Sequence, residues 1–118
     1  MSALPRHTLL LRLAFCAALI AVFVLSVLPA PYEPKLFSWQ DKVEHLLIFC
    51  GLTLLGRAAW PRHSRAVVAG ILVYGAAMEL GQSLTTYRMG DVRDWVADAL
   101  GVALAALAAH LSSRSRRR

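Results

Sequence analysis

One histidine and a set of carboxylates stand where apolar runs begin or end. His45 closes the segment Asp41-Lys42-Val43-Glu44-His45, Glu79 and Gln82 close a second apolar run, and Arg88, Asp91, Asp94 and Asp98 straddle the start of a third. These residue types could do three kinds of chemistry. Lys42 and Arg88 could hold an anion while Gln82 and His45 fix its orientation, because a guanidinium meets phosphate or carboxylate bidentately. His45 with carboxylates, Glu79 and Asp94 foremost, could bind a divalent cation or serve as acid and base. Glu79 and Asp98 could carry protons or ions along a path, which for four short helices would require an oligomer. A single histidine is a sparse donor set for zinc, which favours more nitrogen or sulfur ligands.

The same groups could also do no more than tie helices together. On that reading Arg88 and Arg93 pair with Asp91, Asp94 or Glu79, and Lys42 pairs with Asp98 or Glu44. No serine or cysteine nucleophile stands beside a base, and Cys50, five residues past His45, points elsewhere on a helix. The residues therefore lean away from an enzyme, and from a resident cofactor other than a divalent cation.

The elements that must position these groups are membrane spans. The chain has 118 residues, 58% hydrophobic and 17% charged, against about 45–50% and about 25% for an ordinary soluble domain. A chain this short buries too small a share of its surface to hide that much apolar area in water. Four apolar runs are legible: Leu9 to Leu28, Val43 to Trp60, Ala66 to Leu84 and Trp95 to Leu111. Each is close to the ~20 residues that cross a bilayer at 1.5 Å per residue. None alternates with period two, so a barrel is not expected. Pro29, Pro31 and Pro34 end the first run, and Trp39, Trp60, Tyr87 and Trp95 fall near span ends, where amphipathic rings favour headgroups. The expected fold is an all-α integral membrane bundle of four transmembrane helices, one domain over residues 1–111, followed by a basic tail at 112–118. A cleaved signal peptide over residues 1–30 is the competing reading. It is weakened by the length of the apolar run and by Pro31 after the cut.

Around each helix, at 100° per residue, the polar groups share stripes with small residues. The stripes are Asp41, His45, Phe49, Leu52 and Gly56; then Gly75, Glu79, Gln82 and Thr86; then Asp91, Asp94, Asp98, Gly101 and Ala105. Turned toward one another, they give a packed apolar half and a polar pocket opening at one face. Charge orients that face. Arg6, Arg12, Arg57, Arg62, Arg65, Arg114, Arg116, Arg117 and Arg118 lie on one side, and Lys35, Lys42, Arg88 and Arg93 on the other with all seven acidic residues. The richer side is expected in the cytoplasm, so both termini are inside and the pocket faces out. The net charge of +6 is accounted for by this sorting, and no nucleic-acid-binding motif accompanies it.

The motif Asp41-Lys42-Val43-Glu44-His45 with Phe49, the motif Glu79-Leu80-Gly81-Gln82, and Arg88 with Asp91, Asp94, Ala97-Asp98 and Gly101 together resemble the VanZ-like family of membrane proteins over residues 41–109. Asp98 stands where many relatives carry asparagine, so it adds a charge that asks for a cation such as Lys42 or a bound ion. The resemblance implies a bacterial cytoplasmic membrane and a role in the cell envelope. The family's namesake is associated with resistance to teicoplanin-type glycopeptides, so a link to glycopeptide susceptibility is an expectation of the resemblance alone. The partners expected are membrane lipids, an anionic lipid-linked envelope precursor and a second copy of the chain. The function expected is binding of an anionic lipid or glycan-lipid headgroup. The alternatives are a metal-assisted hydrolase or transferase on a lipid-linked substrate, and a purely structural membrane protein.

Overall fold

The computed structural model describes residues 3–29, 37, 39–85 and 91–117. These residues form four α-helices: α1 (Arg6–Val27), α2 (Gln40–Ala59), α3 (Ser64–Ser83) and α4 (Val92–Arg116). Proline sets two of the boundaries, since a residue before proline is pushed out of the helical region. Leu28, before Pro29, is extended with ψ 154°. Trp60, before Pro61, has left the helix with ψ 70°. At the start of α4 the Asp91 side chain caps the helix by accepting the Arg93 backbone N–H at 2.9 Å, as an aspartate at that position should.

Each helix begins two or three residues before its expected apolar run, at Arg6, Gln40, Ser64 and Val92. α2 begins early enough to take Asp41 and Lys42 into its first turn. α4 runs through the expected basic tail to Arg116. Residues 111–117 are exposed, so the extension rests on local chemistry. No helix breaker intervenes, and Arg114 and Arg116 in the last turn suit the negative end of the helix dipole.

α2 is the centre of the bundle. It packs on α1, α3 and α4, while α1 and α4 do not meet. The core is formed by Phe15, Phe49, Leu52, Ile71, Met78 and Val102. The closest approach joins α2 and α4: a Cβ at Gly101 would lie 2.2 Å from the Leu46 carbonyl oxygen. Away from the charged end of the bundle, the polar links between helices among the described residues are aimed at backbone. Tyr74 donates to Leu19 O at 2.5 Å, Trp95 Nε1 to Leu72 O at 3.0 Å, and Arg12 Nε to Ala59 O at 3.1 Å. The Arg12 guanidinium also lies 5.0 Å from the Trp60 ring centre, a cation–π distance.

The outside is apolar. Leu10, Ile20, Leu25, Val73 and Leu80 are all more than 60% exposed, a surface that suits acyl chains and not water. α1, α3 and α4 are long and apolar enough to cross a membrane. α2 is 20 residues long but carries Asp41, Lys42, Glu44 and Arg57, and it does not reach that level of apolarity.

Candidate functional site

The first turns of α2 and α4 and the last turn of α3 meet at one end of the bundle, as antiparallel neighbours must. Their polar stripes come together there. His45 Nδ1, from the second turn of α2, lies 2.7 Å from Asp98 Oδ1, and His45 Nε2 lies 3.9 Å from Asp94 Oδ2. Asp98 is fully buried. A carboxylate oxygen facing Nδ1 accepts its N–H, which orients the ring with Nε2 toward Asp94. Lys42, one turn nearer the helix start, pairs with Asp94 and with Asp91 Oδ2 at 3.2 Å. Glu79 Oε2 accepts the Asp91 backbone N–H at 3.0 Å and so ties the end of α3 to the cap of α4. Asp91 lies outside the helices; the Arg93 N–H holds its carboxyl below the usual carboxylate range, and Lys42 acts in the same direction.

Four carboxylates thus surround Lys42 and His45. The neighbourhood is acidic, and Lys42 is held by two of the acids. Asp94 is held by Lys42, and the residues whose ligand-type atoms converge are His45, Glu79 and Asp98, all within 4.8 Å of one another. Among the described residues, three buried side-chain oxygens have no partner: Glu79 Oε1, Gln82 Oε1 and Asp98 Oδ2. Asp98 Oδ2 faces α3 at Gly75, where a Cβ would come within 3.2 Å of it and within 3.1 Å of Phe49 Cε1.

Gln82 belongs to a different part of the site. It is buried and donates through Nε2 to Ser26 O of α1 at 2.9 Å. With Val22, Leu25, Ser26, Glu44, His45, Ile48, Phe49 and Met78 it lines a cleft of about 340 Å³ between α1, α2 and α3. Ser26, Glu44, His45 and Gln82 stand at the charged end of the cleft. The apolar residues lie deeper along each helix.

The sequence reading left α1 out of the pocket, although Ser26 was a visible signal as a lone hydroxyl near the end of an apolar run. It also placed Glu44 only as an ion-pair partner; Glu44 Oε1 accepts from Gln40 at 3.1 Å and borders the cleft. Asp41 is half-buried in the first turn of α2, one turn before His45. Arg88 lies outside the described residues, as do Thr86 and Tyr87.

A family model described as VanZ/LLP1 matches residues 10–113, nearly the whole chain. No curated protein and no solved structure shows significant similarity.

Proposed function

The chain belongs to the VanZ/LLP1 family, and from that premise we propose that it is a four-span protein of the bacterial cytoplasmic membrane whose cleft takes the head of an envelope lipid. The observation that carries the proposal is the polarity gradient of the cleft. Hydrogen-bonding groups of Ser26, Glu44, His45 and Gln82 line one end, and Val22, Leu25, Ile48, Phe49 and Met78 line the other. A lipid presents the same gradient, a polar head on an apolar stem. Gln82 Oε1 is buried without a partner among the described residues, and a hydroxyl or amine of a glycan-lipid head would satisfy it. The excess of basic residues on the opposite end supports placing both termini in the cytoplasm and the cleft toward the outer leaflet. α2 supports a fourth span despite its charges, because they sit at its two ends and 20 residues cover about 30 Å.

The structure bears on what the head would be. Lys42 is engaged by Asp91 and Asp94, so a bare anion would have to break those pairs to reach it. A head that brings hydrogen-bond donors fits the described residues better. If it also carries phosphate, a further cation must meet it.

The test is thermal stability and native mass spectrometry of the purified protein with a polyprenyl-phosphate-linked sugar, phosphatidylglycerol or phosphatidylcholine. Wild type should bind and be stabilised by the sugar-bearing lipid above the other two, and Gln82→Leu should lose that preference. Equal shifts with all three lipids, or an unchanged preference in Gln82→Leu, would overturn the proposal. Cleavage of the lipid during the assay would favour the hydrolase or transferase alternative, for which the His45–Asp98 pair supplies an oriented imidazole.

A further inference from the structure

We propose that His45, Glu79 and Asp98 form a binding site for a divalent first-row transition ion. Each residue offers one ligand atom, and the three atoms lie within 4.8 Å of one another. Two ligands on opposite sides of one first-row ion span about 4.0–4.4 Å at bonds of about 2.0–2.2 Å, so side-chain shifts of a few tenths of an ångström bring these atoms onto one ion. The three side chains come from α2, α3 and α4, so the site is assembled by the packing of the bundle.

An acidic cluster alone would not argue for an ion. The second observation is Asp98. The residue is 0% exposed, and its Oδ2 has no hydrogen-bond partner among the described residues. Its other oxygen is engaged by His45 at 2.7 Å, so one half of a fully buried carboxylate is oriented and the other half is unsatisfied. Glu79 repeats the pattern: Oε2 accepts the Asp91 N–H, and Oε1 is buried without a partner among the described residues. Unpaired carboxylate oxygens in a buried site are costly, and a coordinated cation removes that cost. Lys42 does not fill the role, since its ammonium is bound to Asp91 and Asp94 on the rim.

The donor set selects the class of ion. Imidazole suits zinc, iron and other first-row ions better than magnesium or calcium, while two carboxylates suit manganese and zinc. Three protein ligands leave at least one position open, as in zinc sites that receive a further molecule. His45 also borders the cleft. An open position there would face a lipid head and supply the cation that a phosphate needs. The metal site stands independently of the lipid reading, and only this use of it rests on that reading.

The experiment is titration of chelator-stripped full-length protein in lipid nanodiscs with Zn²⁺ and, separately, Mn²⁺, without added ligand lipid. Wild type should take up one ion per chain with micromolar affinity or tighter and melt higher when loaded. Asp98→Asn and Glu79→Gln, which keep the side-chain shapes, should each weaken binding by about tenfold or more. No uptake by folded wild type at millimolar Zn²⁺ and Mn²⁺ would overturn the site, as would equal affinity in wild type and both variants. If either variant loses its helical circular dichroism, zinc-edge X-ray absorption of loaded wild type decides: one imidazole with oxygens is expected, and a shell without nitrogen overturns the proposal. Metal uptake with no lipid preference would sink the lipid reading and leave the metal site standing.

Discussion

Asp91 does two things with one carboxylate: it caps α4 through the Arg93 N–H and binds Lys42 of α2. The cap, with Lys42 in support, lowers its affinity for a proton in the folded state. A group whose pKa is depressed on folding adds stability above its unfolded pKa of about 3.9, and that stability is lost as pH falls through the folded value. Asparagine can cap a helix but cannot carry the charge. The melting-temperature gap between wild type and Asp91→Asn should therefore stay constant from about pH 5 upward and close below about pH 4. A gap that persists in acid would assign the whole effect to the cap. At this scale the types and stripes of the site residues were legible from the sequence, because a 100° step fixes which residues share a helix face. Partner choice was not. Lys42 meets Asp91 and Asp94 where Asp98 or Glu44 was expected, and Asp98 joins His45 instead. The outcome depends on how close α2 and α4 come, and side-chain spacing along one helix carries no such information.

That closeness is a property of the elements, and glycine sets it. A Cβ at Gly101 would fall 2.2 Å from Leu46 O and 3.0 Å from Cys50 N, both backbone atoms that no rotamer change can move. A Cβ at Gly70 would meet nothing within 4 Å. Gly101→Ala should force α4 away from α2 and cost several kcal/mol, on the order of the largest single-substitution effects. Gly70→Ala should be neutral or stabilise by up to about 1 kcal/mol through helix propensity. Denaturant or thermal unfolding of the two variants side by side checks this. Similar losses in both would mean that the α2–α4 contact is not the tight one. The existence of all four helices was legible in the hydrophobic runs and proline positions. Their ends were read less well. The run of apolar residues stops at Leu111, whereas α4 continues to Arg116 because nothing in Ser112–Arg116 breaks it. Asp91 was read as part of the α4 stripe, whereas it stands just before the helix and caps it.

For the molecule as a whole, the number of crossings turns on α2. α1, α3 and α4 are each long and apolar enough to cross, and three crossings would leave the termini on opposite faces. A fourth crossing by α2 puts them on the same face. Two physical arguments favour the fourth. α2 contacts all three other helices, so its flanks are covered by protein and need not be as apolar as a lipid-facing span. Its buried residues, Phe49, Leu52, Thr53, Gly56 and Ala59, run the length of the helix, and the hydroxyl of Thr53 is satisfied by Phe49 O at 2.8 Å. A helix lying flat at the interface would instead bury one side in lipid and expose the other to water. Single cysteines at Leu4 and Ser113, both exposed and in a background lacking Cys16 and Cys50, can be probed with a membrane-impermeant maleimide on intact cells and on inverted vesicles. Both should label only in inverted vesicles, and Trp39→Cys only on intact cells. Opposite labelling of residues 4 and 113 would reduce the crossings to an odd number, remove α2 from the membrane interior, and expose the His45–Asp98 pair to water on a face where the charge distribution predicts none of it.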